Sequence, residues 1–377
     1  MRRRPHRARP SIVCWRCLNG DLTTLILVLK TGLGEEQIRV AESKLTAMEL
    51  SFQRVPTHDR FLLVIKDDAR TMPANVFTQM VAVDKVIGIG DRYPLSTGVE
   101  ESSQQTYSGI VFGGVEPVVI AGPCSVESRE QILATAAAVK QAGANALRAG
   151  AFKPRTSPYD FSGLGFEGLV YLSEARAATG LPIVSEILSP SQVEETYEHI
   201  DVFQVGARNM YNYDLLRELG RTDKAVLLKR AMSATVDEFL QAAEYILLGG
   251  NSRVILCERG IRTFETKTRN TLDLNSVALL KTMTNLPVLV DPSHGTGRRA
   301  LVQPLSNAAI ACGADGLLIE THLTPAQAMS DAEQAITPDT LKQIIADVRA
   351  ISEVLNKRQV DTAKFTGTKI GVIPVTV

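Results

Sequence analysis

Cys124, His294, Glu320 and Asp331 stand in four short segments, AGPCSVES (121–128), DPSHGTGRR (291–299), DGLLIETH (315–322) and SDAEQ (330–334). A thiolate, an imidazole and two carboxylates on one rim make a donor set for a divalent transition ion, because they mix soft and borderline ligands with hard oxygens. Such an ion would serve an enzyme as its electrophile. A second cluster lies in LRAGAFKPRTSPYDFSGLG (147–165), where two guanidinia, Arg148 and Arg155, and the ammonium of Lys153 crowd one stretch. Guanidinia fork onto carboxylate or phosphate oxygens, and Lys153 adds a compact charge and a transferable proton. Pro154 and Pro158 stiffen the stretch and lower the ordering cost of binding. Arg208 in QVGARNM, Lys229 in LLKR and Arg259 in CERGIR follow other apolar runs. Cations gathered around one cavity repel one another, so the expected ligand carries at least two anionic groups.

These residues can meet only if the chain closes on itself. Short apolar runs at 117–124, 146–151, 182–187, 202–207, 225–230, 253–258, 287–292 and 316–320 read as strands. Between them lie amphipathic stretches such as 129–142, 190–199, 235–248, 274–284 and 302–312, several opening after a capping-type Ser, Thr or Asn. This is the pattern of a (β/α)8 TIM barrel, an α/β fold whose chemistry sits at the C-terminal strand ends. The polar residues fall at those ends: Cys124, then Arg148 and Lys153, Glu186, Arg208, Lys229, Arg259, His294 and Glu320.

The chain has 377 residues, more than one barrel uses, so it is expected to split into domains. Residues 22–92 read as a small ferredoxin-like α+β domain in β-α-β-β-α-β order, with Ile38, Ala41, Leu45 and Met48 at helical spacing in 35–49. Residues 93–107 read as a linker, and 108–356 as the barrel, whose N-terminal end the segment SGIVFGGVEP would plug as a hairpin. The basic stretch 1–21 reads as a disordered extension and 357–377 as a C-terminal tail; Cys14 and Cys17 form a CxxC with no second pair at zinc-site spacing. Lys plus Arg equals Asp plus Glu at 41 each, which argues against a nucleic-acid-binding surface. No apolar run approaches the roughly 20 residues that cross a bilayer. Five cysteines without framework spacing fit a reducing cytoplasm. Cys257 and Cys312 read as small buried hydrophobes and His322 as either a partner of Glu320 or a strand-end histidine satisfied by backbone.

In combination, GPCSVES, RAGAFKPRTSPYDFSGLG, SEI, QVGARNM, LLKR, CERG, DPSHGTGRR and IETH followed by SD resemble 3-deoxy-D-arabino-heptulosonate-7-phosphate (DAHP) synthase. The resemblance covers about 108–355, and the small domain ahead of the barrel matches the subfamily that has an N-terminal ferredoxin-like regulatory domain. It implies condensation of phosphoenolpyruvate with erythrose 4-phosphate and water, the first step of the shikimate pathway. It also implies a metal (Mn, Fe, Co or Zn) on Cys124, His294, Glu320 and Asp331, and a phosphoenolpyruvate clamp of Arg148, Lys153, Arg208, Lys229 and Arg259. Arg155 and Thr156 would grip the phosphate of the second substrate, Lys153 would protonate the new alkoxide through a lowered pKa, and Glu186 would orient the attacking water. The front domain would sense an aromatic amino acid as inhibitor, and the oligomer would be a homotetramer. The family often reads VH-x-x-P after its metal-ligand Glu, where this chain has Thr321, His322, Leu323, Thr324 and Pro325. Three alternatives stay open. The first is 3-deoxy-D-manno-octulosonate-8-phosphate synthase, which reads KANRS where this chain has KPRTS. The others are a metal-dependent aldolase on the same barrel and a non-catalytic aromatic amino acid sensor.

Overall fold

The computed structural model describes residues 25–56, 60–65, 75–88, 93–97, 104–154, 157 and 159–366. The extension 1–21 with its CxxC, the loop residues Arg155 and Thr156, and the tail beyond Thr366 lie outside the described residues. The chain divides into two compact units, with the boundary between Arg92 and Tyr93.

In the first unit, strands β1 (Leu25–Leu29), β2 (Phe52–Pro56), β3 (Phe61–Ile65) and β4 (Val83–Gly88) form an antiparallel sheet in the order β2-β3-β1-β4. With helices Glu35–Ala47 after β1 and Asn75–Thr78 after β3, this is the ferredoxin-like arrangement. The helical spacing puts Ile38, Ala41 and Leu45 on the face that packs with Leu27, Leu63 and Phe77, and Met48 lies partly buried at its end.

The second unit opens with a hairpin of β5 (Gln105–Tyr107) and β6 (Ile110–Phe112), then closes eight parallel strands into a barrel. These are β7 (Val118–Gly122), β8 (Ala146–Arg148), β9 (Ile183–Ile187), β10 (Val202–Val205), β11 (Ala225–Lys229), β12 (Val254–Glu258), β13 (Val288–Val290) and β14 (Gly316–Glu320). Parallel strands with helices outside are buried on both faces, and all five residues of β7, β9, β11, β12 and β14 are buried. Alternation still sorts them: Val118 and Ile120 face the barrel interior, Val119 and Ala121 the helical layer. The helix starts follow local capping chemistry. Ser128 accepts from Gln131 N ahead of Arg129–Ala142, and Thr235 and Glu238 form a reciprocal capping box ahead of Val236–Leu248.

Tyr107, Ile110 and Phe112 of the hairpin pack with the interior-facing residues Val118, Ile120, Val202 and Leu227. They plug the end of the barrel opposite the C-terminal strand ends. The short helix Pro94–Thr97 is also bound to the barrel, Leu95 and Ser96 donating backbone N–H groups to Glu244 at 3.1 and 2.6 Å. Two truncations test these contacts together. A chain beginning at Tyr93 should keep the melting temperature of the barrel. A chain beginning at Ser108 loses both the docked helix Pro94–Thr97 and the buried Tyr107 ring, the ring alone at about 3 kcal/mol or more. It should melt roughly 6–12 °C lower, and equal melting temperatures would deny the hairpin a structural role.

Candidate metal and anion site

The strand ends bring all four expected ligands together. Cys124 follows β7 and Glu320 ends β14; His294 sits in the short helix Pro292–Thr296 after β13, and Asp331 in the loop after β14. The donor atoms of Cys124, Glu320 and Asp331 lie within 4.8 Å of one another. His294 Nε2 reaches Glu320 Oε1 at 3.4 Å and Asp331 Oδ2 at 3.9 Å.

The protons in this cluster follow from its hydrogen bonds. Asp291 caps the short helix, accepting from His294 N at 2.9 Å, and its other oxygen faces His294 Nδ1 at 2.7 Å and Lys229 Nζ at 2.6 Å. Burial would raise the Asp291 pKa, but His294 and Lys229 hold it well below the usual carboxylate range. The imidazole proton therefore belongs on Nδ1, and the Nε2 lone pair points at the two carboxylates. Burial lowers the His294 pKa, so the ring is neutral near pH 7. Burial favours the protonated forms of Glu320 and Asp331, yet both pKa values end up lowered: His294 contributes most to each while it carries a second proton, and Arg148 on Glu320 and the Cys124 contact and Arg269 on Asp331 act whether or not it does. A lone pair and two ionised carboxylates converging with only the Cys124 thiol proton among them form an arrangement that a cation relieves. The Cys124 thiol is pushed up to about 12 by burial and by Glu320, and as a thiol it donates to Asp331 Oδ2 at 3.0 Å. One borderline nitrogen, one sulfur and two oxygens suit Mn, Fe, Co or Zn.

A shell of partners aims the ligands. Glu320 accepts from Arg148 Nη1 at 2.7 Å and from Gln334 Nε2 at 2.5 Å. Asp331 has a left-handed backbone, φ 53°, which aspartate tolerates better than most residues. Its neighbours hold that turn: Ser330 Oγ meets Ser125 Oγ at 2.7 Å, Met329 N donates to Glu127 at 2.9 Å, and Arg299 donates to Ala332 O at 2.7 Å. One nitrogen of His322 is satisfied by backbone, Nδ1 accepting from Thr324 N at 3.0 Å, whereas the buried Nε2 makes no hydrogen bond among the described residues and lies 3.5 Å from Glu127 Oε2. Cys257 is fully buried in the barrel interior.

Beside the ligands lies a cavity of about 260 Å³. Its lining includes seven cations, Arg148, Lys153, Arg208, Lys229, Arg259, Arg262 and Arg269, against three carboxylates, Asp160, Glu186 and Asp331. Three of the cations are paired inside the protein, Arg148 with Glu320, Lys229 with Asp291 and Arg269 with Asp331. Arg259 is 7% exposed and has no hydrogen-bond or ion-pair partner among the described residues. Burial, with Arg269 and Arg208 nearby, lowers its pKa. A buried guanidinium left unpaired beside other cations is a site waiting for an anion.

Lys153 differs from the expectation of a lowered pKa. Its Nζ donates to Cys124 O at 3.2 Å, and although burial and Arg148 push its pKa down, Cys124, Glu186 and Glu320 outweigh them and raise it. The sequence showed the crowd of cations but not the anions interleaved among them. Glu186 projects into the same cavity, where Gln204 donates to it at 3.3 Å. It fits because Gly206 has no side chain: a Cβ there would stand 1.9 Å from Glu186 Oε1. The Gly206 backbone itself suits any residue. Gly206→Ala should thus leave the fold intact but turn the carboxylate away, lowering turnover on the order of 10²-fold, the scale of losing a general base. Comparison of kcat with the melting temperature checks this, and unchanged kcat would remove Glu186 from the chemistry.

Four residues of the site escaped the sequence reading. Asp291, Gln334 and Arg262, the last residue of CERGIR, lie inside the quoted segments, and Asp291 carried a usable signal, a capping residue three positions before a ligand histidine. Arg262 and Arg269 lie on an irregular loop after β12, where no periodicity marks them.

Known proteins resemble this chain in sequence and fold. A sequence model described as the DAHP synthetase I family matches residues 96–358. The chain is 41% identical to the phospho-2-dehydro-3-deoxyheptonate aldolase of Thermotoga maritima over 88% of this chain and 98% of that protein. It is 34% identical to the 2-dehydro-3-deoxyphosphooctonate aldolase of Syntrophotalea carbinolica over 65% of this chain and 95% of that protein. The crystal structure of the Thermotoga maritima DAHP synthase superposes with a TM-score of 0.68 at 40% identity, covering 88% of this chain and 98% of that one. A truncated form of the Thermotoga maritima enzyme superposes with a TM-score of 0.62 at 42% identity, covering 67% of this chain and 92% of that one.

Proposed function

The chain belongs to the DAHP synthetase I family, and on that premise we propose that it is a 3-deoxy-7-phosphoheptulonate synthase, joining phosphoenolpyruvate to erythrose 4-phosphate and water and releasing DAHP and phosphate. The observation that carries this reading is the cavity in which unpaired Arg259 and its neighbouring cations adjoin a ready metal-ligand set. Phosphoenolpyruvate brings the required two anionic groups. Arg148, Lys153, Arg208, Lys229 and Arg259 hold its phosphate and carboxylate, which fixes the nucleophilic C3 in a reactive pose.

Cys124, His294, Glu320 and Asp331 would hold the divalent ion, which when bound supplies Lewis-acid polarisation of the sugar aldehyde. As C3 attacks the aldehyde carbon, the carbonyl oxygen becomes an alkoxide. Lys153 stays protonated at neutral pH, and it can still protonate this oxygen because an alkoxide is more basic than a lysine amine. Glu186 orients the water that adds to C2 and takes its proton, after which the C2–O bond to phosphate breaks. Arg155 and Thr156 are assigned to the phosphate of erythrose 4-phosphate.

The octulosonate branch is the second reading, since relatives of that name match 65% and 66% of this chain. Alignment with the Thermotoga protein, which extends over 88% of this chain, favours the heptulosonate reading. We assign residues 22–92 to aromatic amino acid sensing, 108–356 to catalysis, and the protein to the cytoplasm as a homotetramer. Consumption of phosphoenolpyruvate with erythrose 4-phosphate but not arabinose 5-phosphate is the expected result. The opposite preference would move the assignment to the octulosonate branch, and no turnover with either would favour a non-catalytic sensor.

A further inference from the structure

The loop between β12 and helix Leu274–Met283 carries the cations that the sequence left unmarked, and one of them reaches the metal ligands. Arg269 Nη1 donates to Asp331 Oδ1 at 2.9 Å and to Gln334 Oε1 at 3.0 Å. The same Gln334 side chain turns its amide nitrogen to Glu320 Oε2 at 2.5 Å. A single guanidinium nitrogen and one amide thus connect two carboxylates that sit 11 positions apart on different elements. Each carboxylate turns its other oxygen toward the cluster: Glu320 Oε1, which also accepts from Arg148 Nη1 at 2.7 Å, and Asp331 Oδ2, which also accepts from Cys124 Sγ at 3.0 Å, are the atoms facing His294 Nε2. Gln334 can play only this part in the orientation seen, because its oxygen accepts and its nitrogen donates.

The base of Arg269 is fixed as well. Its backbone N donates to Thr296 O at 2.9 Å, in the short helix that carries His294, and the next residue, Asn270, donates to His294 O at 3.0 Å. The loop therefore touches three of the four ligands or their immediate supports. It also lines the cavity with Arg259, whose pKa registers the proximity of Arg269.

We propose that Arg269, acting with Gln334, is a positioning residue that presets the Asp331 and Glu320 carboxylates for the metal and ties the metal centre to the anion-binding loop. The proposal rests on the metal reading above, and the sign of its effect sets it apart from a purely electrostatic role. A cation 2.9 Å from a ligand carboxylate repels a divalent ion, so removing its charge alone should tighten metal binding. Loss of preset geometry should weaken it, and disturbed outer partners of metal sites typically cost about 10–100-fold in affinity.

The test is equilibrium binding of Mn²⁺ to the stripped full-length protein without substrates, followed by electron paramagnetic resonance of the free ion. Arg269→Met and Gln334→Leu should each weaken Mn²⁺ binding by roughly 10–100-fold, and Arg269→Lys, which keeps a donor and the charge, by less than Arg269→Met. The double variant should lose less than the product of the two single losses, because both act through one link. Equal or tighter Mn²⁺ binding by Arg269→Met, in a stripped protein that melts like the parent, would overturn the proposal. Failure of the parent protein itself to bind Mn²⁺ would instead overturn the metal reading on which it rests.

Discussion

Arg259→Met is expected to abolish most activity while leaving the ligand-free protein as stable as the parent or more so. Arg259 is 7% exposed and lacks a protein partner among the described residues, so its charge contributes a desolvation cost to the empty fold and no ion pair. Methionine preserves much of the aliphatic volume and removes that cost. With phosphoenolpyruvate bound, the same guanidinium is expected to supply charge-assisted hydrogen bonds to phosphate or carboxylate. Losing one partner of such a buried pair costs about 3–4 kcal/mol, or roughly 10²–10³ in kcat/KM for phosphoenolpyruvate. Arg148 provides the contrast. Its 2.7 Å bond to Glu320 is wholly buried, so Arg148→Met strands a carboxylate and should lower stability and activity together. Thermal melting without substrate and steady-state kinetics on both variants check the pair. A destabilised Arg259→Met with unchanged kcat/KM would make Arg259 a structural residue.

Cys124→Ser is expected to lose metal and turnover together. Serine matches cysteine closely in shape at this buried position, so the stripped variant should melt near the parent. A serine hydroxyl is a far poorer ligand than a thiolate because it does not ionise near neutral pH. Affinity for Mn²⁺ should fall by on the order of 10²-fold or more, since even outer partners cost up to that much. Activity should recover only at correspondingly higher metal. If a Cys124→Ser protein verified free of metal turned over like the parent, the ligand role of Cys124 would be wrong.

The barrel was legible because its signals repeat. Each apolar run is bounded by a helix with its own period, and every strand lies within three residues of the range read from sequence. Helix starts were legible where a side chain caps, as at Ser128 and Thr235. The helix read as 302–312 begins at Arg299 instead, because Arg298 makes no side-chain cap and Pro304 inside the helix reads as a breaker. The ligands were legible by type and by their position at strand ends. What connects them was not. The Arg269–Gln334 link joins an irregular loop to another loop 65 positions on, and nothing in local pattern encodes such a meeting. The Lys153 pKa went the other way for a similar reason: neighbouring cations can be counted along the chain, whereas the compensating Cys124, Glu186 and Glu320 converge only in the fold.

The central claim is that Cys124, His294, Glu320 and Asp331 hold one divalent ion on which the condensation depends. Its most direct test is phosphate release from phosphoenolpyruvate and erythrose 4-phosphate by protein stripped with chelator and then titrated with Mn²⁺. Turnover should vanish on stripping and return in proportion to added ion, reaching its plateau at one equivalent per chain. Full turnover by protein shown to be free of metal would contradict the account.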